Sequence, residues 1–228
     1  MTAEWFARLP ANRLLVEMSL WSADLGRLEE DTRRVEEGTD IFHIDVADGH
    51  FSPAMLFFPD LVARLRRVTA KPFHVHLMVK DAVLMDQVAQ FAEAGADLIS
   101  VHAENANGLA ALADIRARGL KVGIVLQLHT PVAAAAAFLS HIDMLTLLGT
   151  RIGVKGQGLA DEAGARINEA QALAASSLHR IIVAADGGIR EHTVPGLRAA
   201  GAETVVMGSL AFGADDFTKR IAWAHALP

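Results

Sequence analysis

Eight short apolar runs recur at nearly constant spacing, and they restrict this chain more than any other feature. They cover 14–20, 41–46, 73–79, 98–102, 122–127, 144–148, 181–185 and 204–207. Each is nearly continuously apolar, the pattern of strands covered on both faces. Their ends recur about every 27 residues, the length of one strand–helix unit. Helices are expected between them over 24–37, 82–94, 108–118, 131–140, 160–175, 193–200 and 215–226. The first sets Leu25, Leu28 and Val35 on one side, the second Val83, Leu84, Val88 and Phe91. Pro131 and Pro195 stand at helix starts, and the alanine run 133–137 reads as one face of a tightly packed helix. Eight such units in 228 residues predict an α/β chain folded as a (β/α)8 TIM barrel, one domain over 1–228. Residues 1–12 form a short leader, whose segment 4–9 makes a helical turn that caps the barrel bottom or joins a neighbour. A doubly wound open sheet also alternates strand and helix, but eight units without a G-x-G-x-x-G after the first run favour the barrel.

Composition removes several functions. Without cysteine the chain has no disulfide scaffold, thiolate metal site or cysteine nucleophile. With 21 Lys+Arg against 27 Asp+Glu the net charge is −6, which argues against nucleic acid or an anionic membrane as the main partner. A phosphate-bearing small molecule stays open, because backbone amides and helix N-termini bind phosphate without net positive charge. Glu4 and Arg8 interrupt the N-terminal stretch, so no secretory signal and no membrane span are expected, and the cytoplasm is the expected location.

In a barrel of this type the chemistry lies at the C-terminal strand ends. Four ends carry polar groups that a buried strand does not need. The second holds His43 and Asp45, two apart and therefore on one face, their Cα atoms about 6.6–7 Å apart. The third holds His74 and His76, the fourth His102 and Glu104, and the seventh leads into Asp186-Gly187-Gly188. Two imidazoles and two carboxylates from this set make a mixed N/O shell suited to Zn, Fe(II), Mn or Co. Spacing alone does not choose between His74 and His76: one of them packs in the core or supports the other, and His102 with Glu104 reads as an outer pair. Gly187, Gly188 and Ile189, with Gly208 and Ser209 opening the final helix, suit a phosphate held by backbone amides after strands seven and eight. Ordinary tight turns would carry the same glycines.

These stretches resemble the ribulose-phosphate 3-epimerase family. Met18-Ser-Leu-Trp-Ser-Ala-Asp24 is similar to its S-I-L-S-A-D opening, and His43-Ile-Asp-Val-Ala-Asp-Gly-His-Phe51 to its H-x-D-x-M-D-G-x-F. His74-Val-His-Leu-Met-Val79 is similar to D-V-H-L-M-V, Asp186-Gly-Gly-Ile189 to V-D-G-G-I, and Gly208-Ser209 to its G-S. The order holds from about residue 14 to 213. The resemblance implies a cytoplasmic isomerase of carbohydrate metabolism with one divalent metal ion per subunit. It would invert C3 of a ketose phosphate by two-base proton transfer through a metal-stabilised enediolate. The substrate would be ribulose 5-phosphate/xylulose 5-phosphate, as in pentose phosphate chemistry, or a related sugar phosphate such as allulose 6-phosphate or a tetrulose phosphate. It implies His43, Asp45, His76 and Asp186 as ligands, because His74 falls where the family has Asp. Asp45 and Asp186 would be the two acid/base groups. Ser19, Met78, Gly153, Gly156 and Gln157 would meet the sugar, and Gly187, Gly188, Gly208 and Ser209 the phosphate. A homo-oligomer is expected.

The chain also departs from the family. Ala47 replaces a methionine. The strand-six loop reads Leu148-Gly-Thr-Arg-Ile-Gly-Val-Lys-Gly-Gln157 in place of M-T-V-x-P-G-F-x-G-Q, and gains Arg151 and Lys155, which with Ala47 are the residues expected to set specificity. Two other readings compete: a phosphate-binding barrel lyase (decarboxylase or aldolase), for which Lys80 and Lys155 are the available lysines, and a non-catalytic sugar-phosphate binder.

Overall fold

The computed structural model describes residues 4–228. Eight parallel strands close into a barrel in chain order: β1 (Leu15–Ser19), β2 (Ile41–Ala47), β3 (Phe73–Met78), β4 (Leu98–His102), β5 (Lys121–Leu126), β6 (Met144–Leu148), β7 (Ile182–Asp186) and β8 (Thr204–Met207). Around them lie α1 (Glu4–Ala7), α2 (Leu28–Val35), α3 (Pro59–Arg66), α4 (Asp81–Glu93), α5 (Gly108–Ala117), α6 (Ala163–Ala175), α7 (Val194–Ala199), α8 (Ser209–Phe212) and α9 (Phe217–His225). Outward strand residues such as Val16, Ile44, Val75, Ile99 and Val183 pack against helix faces such as Leu84, Val88 and Phe91 of α4. Among the described residues no helix is long and apolar enough to cross a membrane.

All eight expected strands form, within one residue at each end. The helices differ more. The segment expected as a helix over 24–37 begins with a tight 3-10 turn, Leu25–Arg27, capped by the Asp24 side chain accepting from Gly26 N, and the α-helix starts only at Leu28. Leu25 is therefore exposed rather than on the buried stripe, and so is Val83 of α4. Helix α3, with Pro59 in its first turn, forms where no helix was expected. The 131–140 helix is instead a 3-10 coil over Val132–His141 that buries only Val132 and Ala135, so the alanine run is not tightly packed. A 3-10 coil rises about 2 Å per residue, and its ten residues span a height for which an α-helix needs about 13. Gly208-Ser209 opens a separate short helix, α8, and not the final one.

The leader resolves to α1 under the barrel; residues 1–3 lie outside the described residues. Phe6 closes the bottom against Leu15, Ile41, Leu98, Met144 and Ile182. Of the two expectations for 4–9, capping the barrel is the one observed. The inside of the barrel above this apolar floor is polar, and that is where the site lies.

Candidate functional site

Strands β2, β3 and β7 deliver four side chains to one point inside the top of the barrel. Their register places Asp45 opposite His76 and His43 opposite His74. His43 Nε2 lies 3.3 Å from Asp45 Oδ1 and 3.9 Å from Asp186 Oδ2. His76 Nδ1 lies 3.5 Å and 3.7 Å from the same two oxygens. One donor atom from each of the four residues falls within 4.8 Å of every other. His43 Nε2 and His76 Nδ1 are buried and have no hydrogen-bond partner. Two orphaned imidazole nitrogens aimed at two carboxylates form a donor set that fits one divalent ion of the Zn, Fe(II), Mn or Co type.

Each ring is anchored through its other nitrogen. Because a carboxylate only accepts, His43 Nδ1–H donates to Glu17 Oε2 at 2.9 Å. His76 Nε2 meets His102 Nε2 at 2.9 Å, and His102 Nδ1–H donates to Glu104 Oε2 at 3.1 Å. With His102 protonated at Nδ1, its Nε2 accepts from His76, which leaves His76 Nδ1 bare toward the carboxylates. Glu104 is held in turn by the Gln127 amide and the Thr130 hydroxyl. His102 and Glu104 are thus the outer pair that the sequence suggested. His74 is not in the group of four: its Nδ1 donates to Glu17 Oε2 at 2.6 Å and its Nε2 meets Ser100 Oγ at 2.6 Å.

The electrostatics separate the two aspartates. Burial alone would raise Asp45, but His43 and His76 hold it well below the usual carboxylate range, and Ser19 Oγ donates to Oδ2 at 2.8 Å. Burial lifts Asp186 to about 6, the charge of Asp45 adding to the effect and the two imidazoles opposing it. Burial works against a charged His43, yet Asp45 and Glu17 hold this imidazole well above its ordinary value. Burial and His76 push His102 down to about 4 despite Glu104, which fits the neutral ring drawn above. One carboxylate that ionises far below neutral pH beside one that ionises only near 6 is an acid/base arrangement. A bound divalent cation would pull Asp186 down again.

A cavity of about 410 Å³ opens above this floor. Ser19, Asp45, His76, Met78 and Asp186 line its base. Gly187, Gly188, Gly208 and Ser209 line one wall, and Arg151, Gly153, Lys155, Gly156 and Gln157 come from the β6 loop. Gly187 and Gly188 have φ of +86° and +69°, and a Cβ at 188 would meet the Leu159 backbone at 2.7 Å. Gln157 Nε2 folds the β6 loop by donating to Arg151 O and Val154 O. Lys155 Nζ ties the loop to β1's end, donating to Trp21 O at 2.5 Å with the ammonium 4.7 Å from the Trp21 ring centre. Of the residues expected in the site, His43 lies fully buried behind Asp45, and Ala47 is buried in register with Met78; neither lines the cavity. Sequence reasoning missed Trp21 and Arg190 on the rim and Glu17 beneath the site. For Glu17 the signal was present, a lone acid inside an apolar strand.

Comparison with known proteins bears on this geometry. Similar structures include 3-hexulose-6-phosphate synthase from Salmonella typhimurium (TM-score 0.69, 16% identity, covering 94% of this chain and 98% of that one). Another is orotidine 5'-phosphate decarboxylase from Pyrococcus horikoshii OT3 (TM-score 0.65, 13% identity, 92% and 97%). At these identities they share the fold alone. Sequence relatives are nearer. Ribulose-phosphate 3-epimerase of Bacillus subtilis is 35% identical over 209 residues, 90% of this chain and 95% of its own. That of Mycobacterium tuberculosis is 34% identical over 210 residues, 91% and 90%. The chloroplastic ribulose-5-phosphate-3-epimerase of Arabidopsis thaliana is 32% identical over 218 residues, 94% and 77%. The model of the ribulose-phosphate 3 epimerase family matches residues 15–212. The chain belongs to the ribulose-phosphate 3-epimerase family.

Proposed function

We propose that this protein is a metal-dependent isomerase that inverts C3 of a ketose phosphate. The observation that carries the reading is the pair of buried, unbonded nitrogens, His43 Nε2 and His76 Nδ1, facing Asp45 and Asp186 at the closed end of the cavity. His43, Asp45, His76 and Asp186 hold one divalent ion. When bound, that ion supplies Lewis acidity to the substrate oxygens beside the reacting carbon. The substrate phosphate lies at Gly187, Gly188, Gly208 and Ser209, where glycine lets backbone amides approach it closely. Arg151, Lys155 and Arg190 make the rim positive in a chain of net charge −6, which favours an anionic substrate.

Asp45 comes from β2 and Asp186 from β7, so they reach the substrate from different sides. One takes the C3 proton as a carboxylate; the other, as a carboxylic acid, returns a proton to the opposite face, and the configuration inverts. Turnover leaves their protonation states exchanged. Ser19 orients Asp45 through Oδ2. A lyase reading asks for a lysine beside the acids; the Lys155 amine instead rests on the Trp21 carbonyl at the mouth.

The test is solvent-deuterium exchange at C3 across ribulose 5-phosphate, tetrulose phosphates and hexulose phosphates. Protein reconstituted with a divalent metal should incorporate deuterium at C3 of at least one, and chelation should stop it. Exchange that survives thorough chelation, or no exchange at C3 in the whole panel, would overturn the reading.

A further inference from the structure

Glu17 is a fully buried carboxylate inside the barrel, one layer below the cavity. It does not line the cavity and is not one of the group of four, but it bonds one of them, His43, and among the described residues no lysine or arginine pairs with it. Burying a carboxylate costs several kcal/mol unless its oxygens are well bonded. Here they are: Oε2 accepts from His43 Nδ1 at 2.9 Å and from His74 Nδ1 at 2.6 Å, and Oε1 lies 3.4 Å from Thr204 Oγ1. His74 is pinned in turn by Ser100 Oγ at 2.6 Å. Ser100 has room for that hydroxyl because β5 carries Gly123 beside it; a Cβ at 123 would collide with Ser100 Oγ. Strands β1, β3, β4, β5 and β8 thus all contribute to fixing one acceptor against one nitrogen of His43.

We propose that Glu17 is a positioning residue for the metal site, holding His43 as the Nδ1–H tautomer with Nε2 presented to the ion, and that His74 serves to hold Glu17. This rests on the reading of His43 as a ligand. Glu17, His43 and His74 are also close enough to be considered ligands themselves. The distances speak against it: two atoms bound to one tetrahedral ion at about 2.05 Å stand about 3.3 Å apart. The observed 2.9 Å and 2.6 Å are hydrogen-bond lengths. The nitrogen of His74 facing away from Glu17 is already engaged by Ser100.

The test is Co2+ binding to the whole chain, read by competition with a chelator and by the visible absorption of the bound ion, for wild type, Glu17→Ala and Glu17→Gln. Glu17→Ala should weaken Co2+ binding about 10–100-fold and change the absorption bands. Glu17→Gln should recover most of that loss, because the amide oxygen can take both imidazole N–H groups while its NH2 faces Thr204. Glu17→Ala that binds Co2+ within about threefold of wild type with an unchanged spectrum would overturn the proposal. So would two ions per chain in wild type with one lost in Glu17→Ala, which would make Glu17 a ligand. Wild type that takes up no Co2+ at all would instead overturn the metal-site reading on which this rests. Should Glu17→Ala not fold, nitrogen-15 NMR of Zn2+-loaded wild type decides: the proton of His43 on Nδ1 supports the proposal, and on Nε2 overturns it.

Discussion

Replacing Asp186 with asparagine should stabilise the metal-free protein while ending its proton transfer. Burial and the neighbouring Asp45 raise the Asp186 carboxyl from its ordinary 3.8 to about 6, and its side chain is only 17% exposed. An acid whose folded-state pKa lies above its unfolded-state value binds more protons when folded. Its ionisation therefore works against folding, and stability falls as pH climbs through about 4 to 6. The full gap corresponds to about 3 kcal/mol above that window. Asparagine keeps the shape and cannot ionise. At pH 8, in chelator, Asp186→Asn should melt on the order of 5–10 °C above wild type, given about 2–4 °C per kcal/mol for a chain of this size. Near pH 4 the advantage should shrink below about 1 kcal/mol, because wild type then carries the proton as well. Adding a divalent ion should reverse the order: at about 1,000 times its dissociation constant the ion gives wild type about 4.1 kcal/mol, and the variant, lacking one of four donors, much less. Differential scanning calorimetry at the two pH values, with and without Co2+, reads all three. An Asp186→Asn protein that melts at or below wild type at pH 8 in chelator, or whose advantage is unchanged at pH 4, would refute the argument that burial beside Asp45 raises this carboxyl.

Two further outcomes follow from the same structure. Gly188→Ala forces a side chain onto a residue at φ +69° and against the Leu159 backbone, so KM for a ketose phosphate should rise at least about tenfold while Co2+ affinity stays within about threefold. Steady-state kinetics with a Co2+ titration separates the two effects. Phe6→Ala opens the barrel floor, where the ring is 5% exposed and Lys121 Nζ lies 4.9 Å from its centre. It should cost about 3 kcal/mol in urea denaturation and leave kcat/KM of the metal-loaded enzyme within about twofold.

The strands were legible because burial on both faces writes a continuous apolar run, a local signal. His43 and Asp45 were legible as a same-face pair because a strand alternates every second residue. Spacing left the choice between His74 and His76 open and only the family resemblance made it, since it depends on register between strands, which no single strand encodes. Only the pairing of Asp45 with His76 lifts one imidazole to the level of the carboxylates and leaves the other beside Glu17. Glu17 was legible only as an acid interrupting strand one. Its meaning needs β1, β2 and β3 side by side, so that residues 26 and 57 positions away in sequence come within hydrogen-bond reach. Helix α3 was hidden by the long β2 loop, whose phenylalanines and prolines give no helical stripe, and the 3-10 coil by an alanine run whose local preference favours an α-helix.

The barrel interior suggests why the site needs depth. Its floor is apolar: Leu15, Ile41, Leu98, Met144 and Ile182 over Phe6. Above come Glu17, His43, His74 and Ser100, and above these Asp45, His76 and Asp186 at the cavity, with His102 buried behind His76. Apolar residues throughout would be the more stable filling, since buried charges rarely repay their desolvation. The polar layers do something that filling cannot: each imidazole facing the carboxylates has one nitrogen committed to an acceptor, which fixes both the ring and the nitrogen left free. An exposed site would leave the rings to turn, and Asp186 would ionise at its ordinary pKa. The same burial that destabilises the metal-free protein through Asp186 therefore gives the two aspartates their different proton affinities. Stability and chemistry should then respond in opposite directions to Asp186→Asn, and in the same direction to Glu17→Ala, which removes an acceptor from two imidazoles and relieves no repulsion at the cavity.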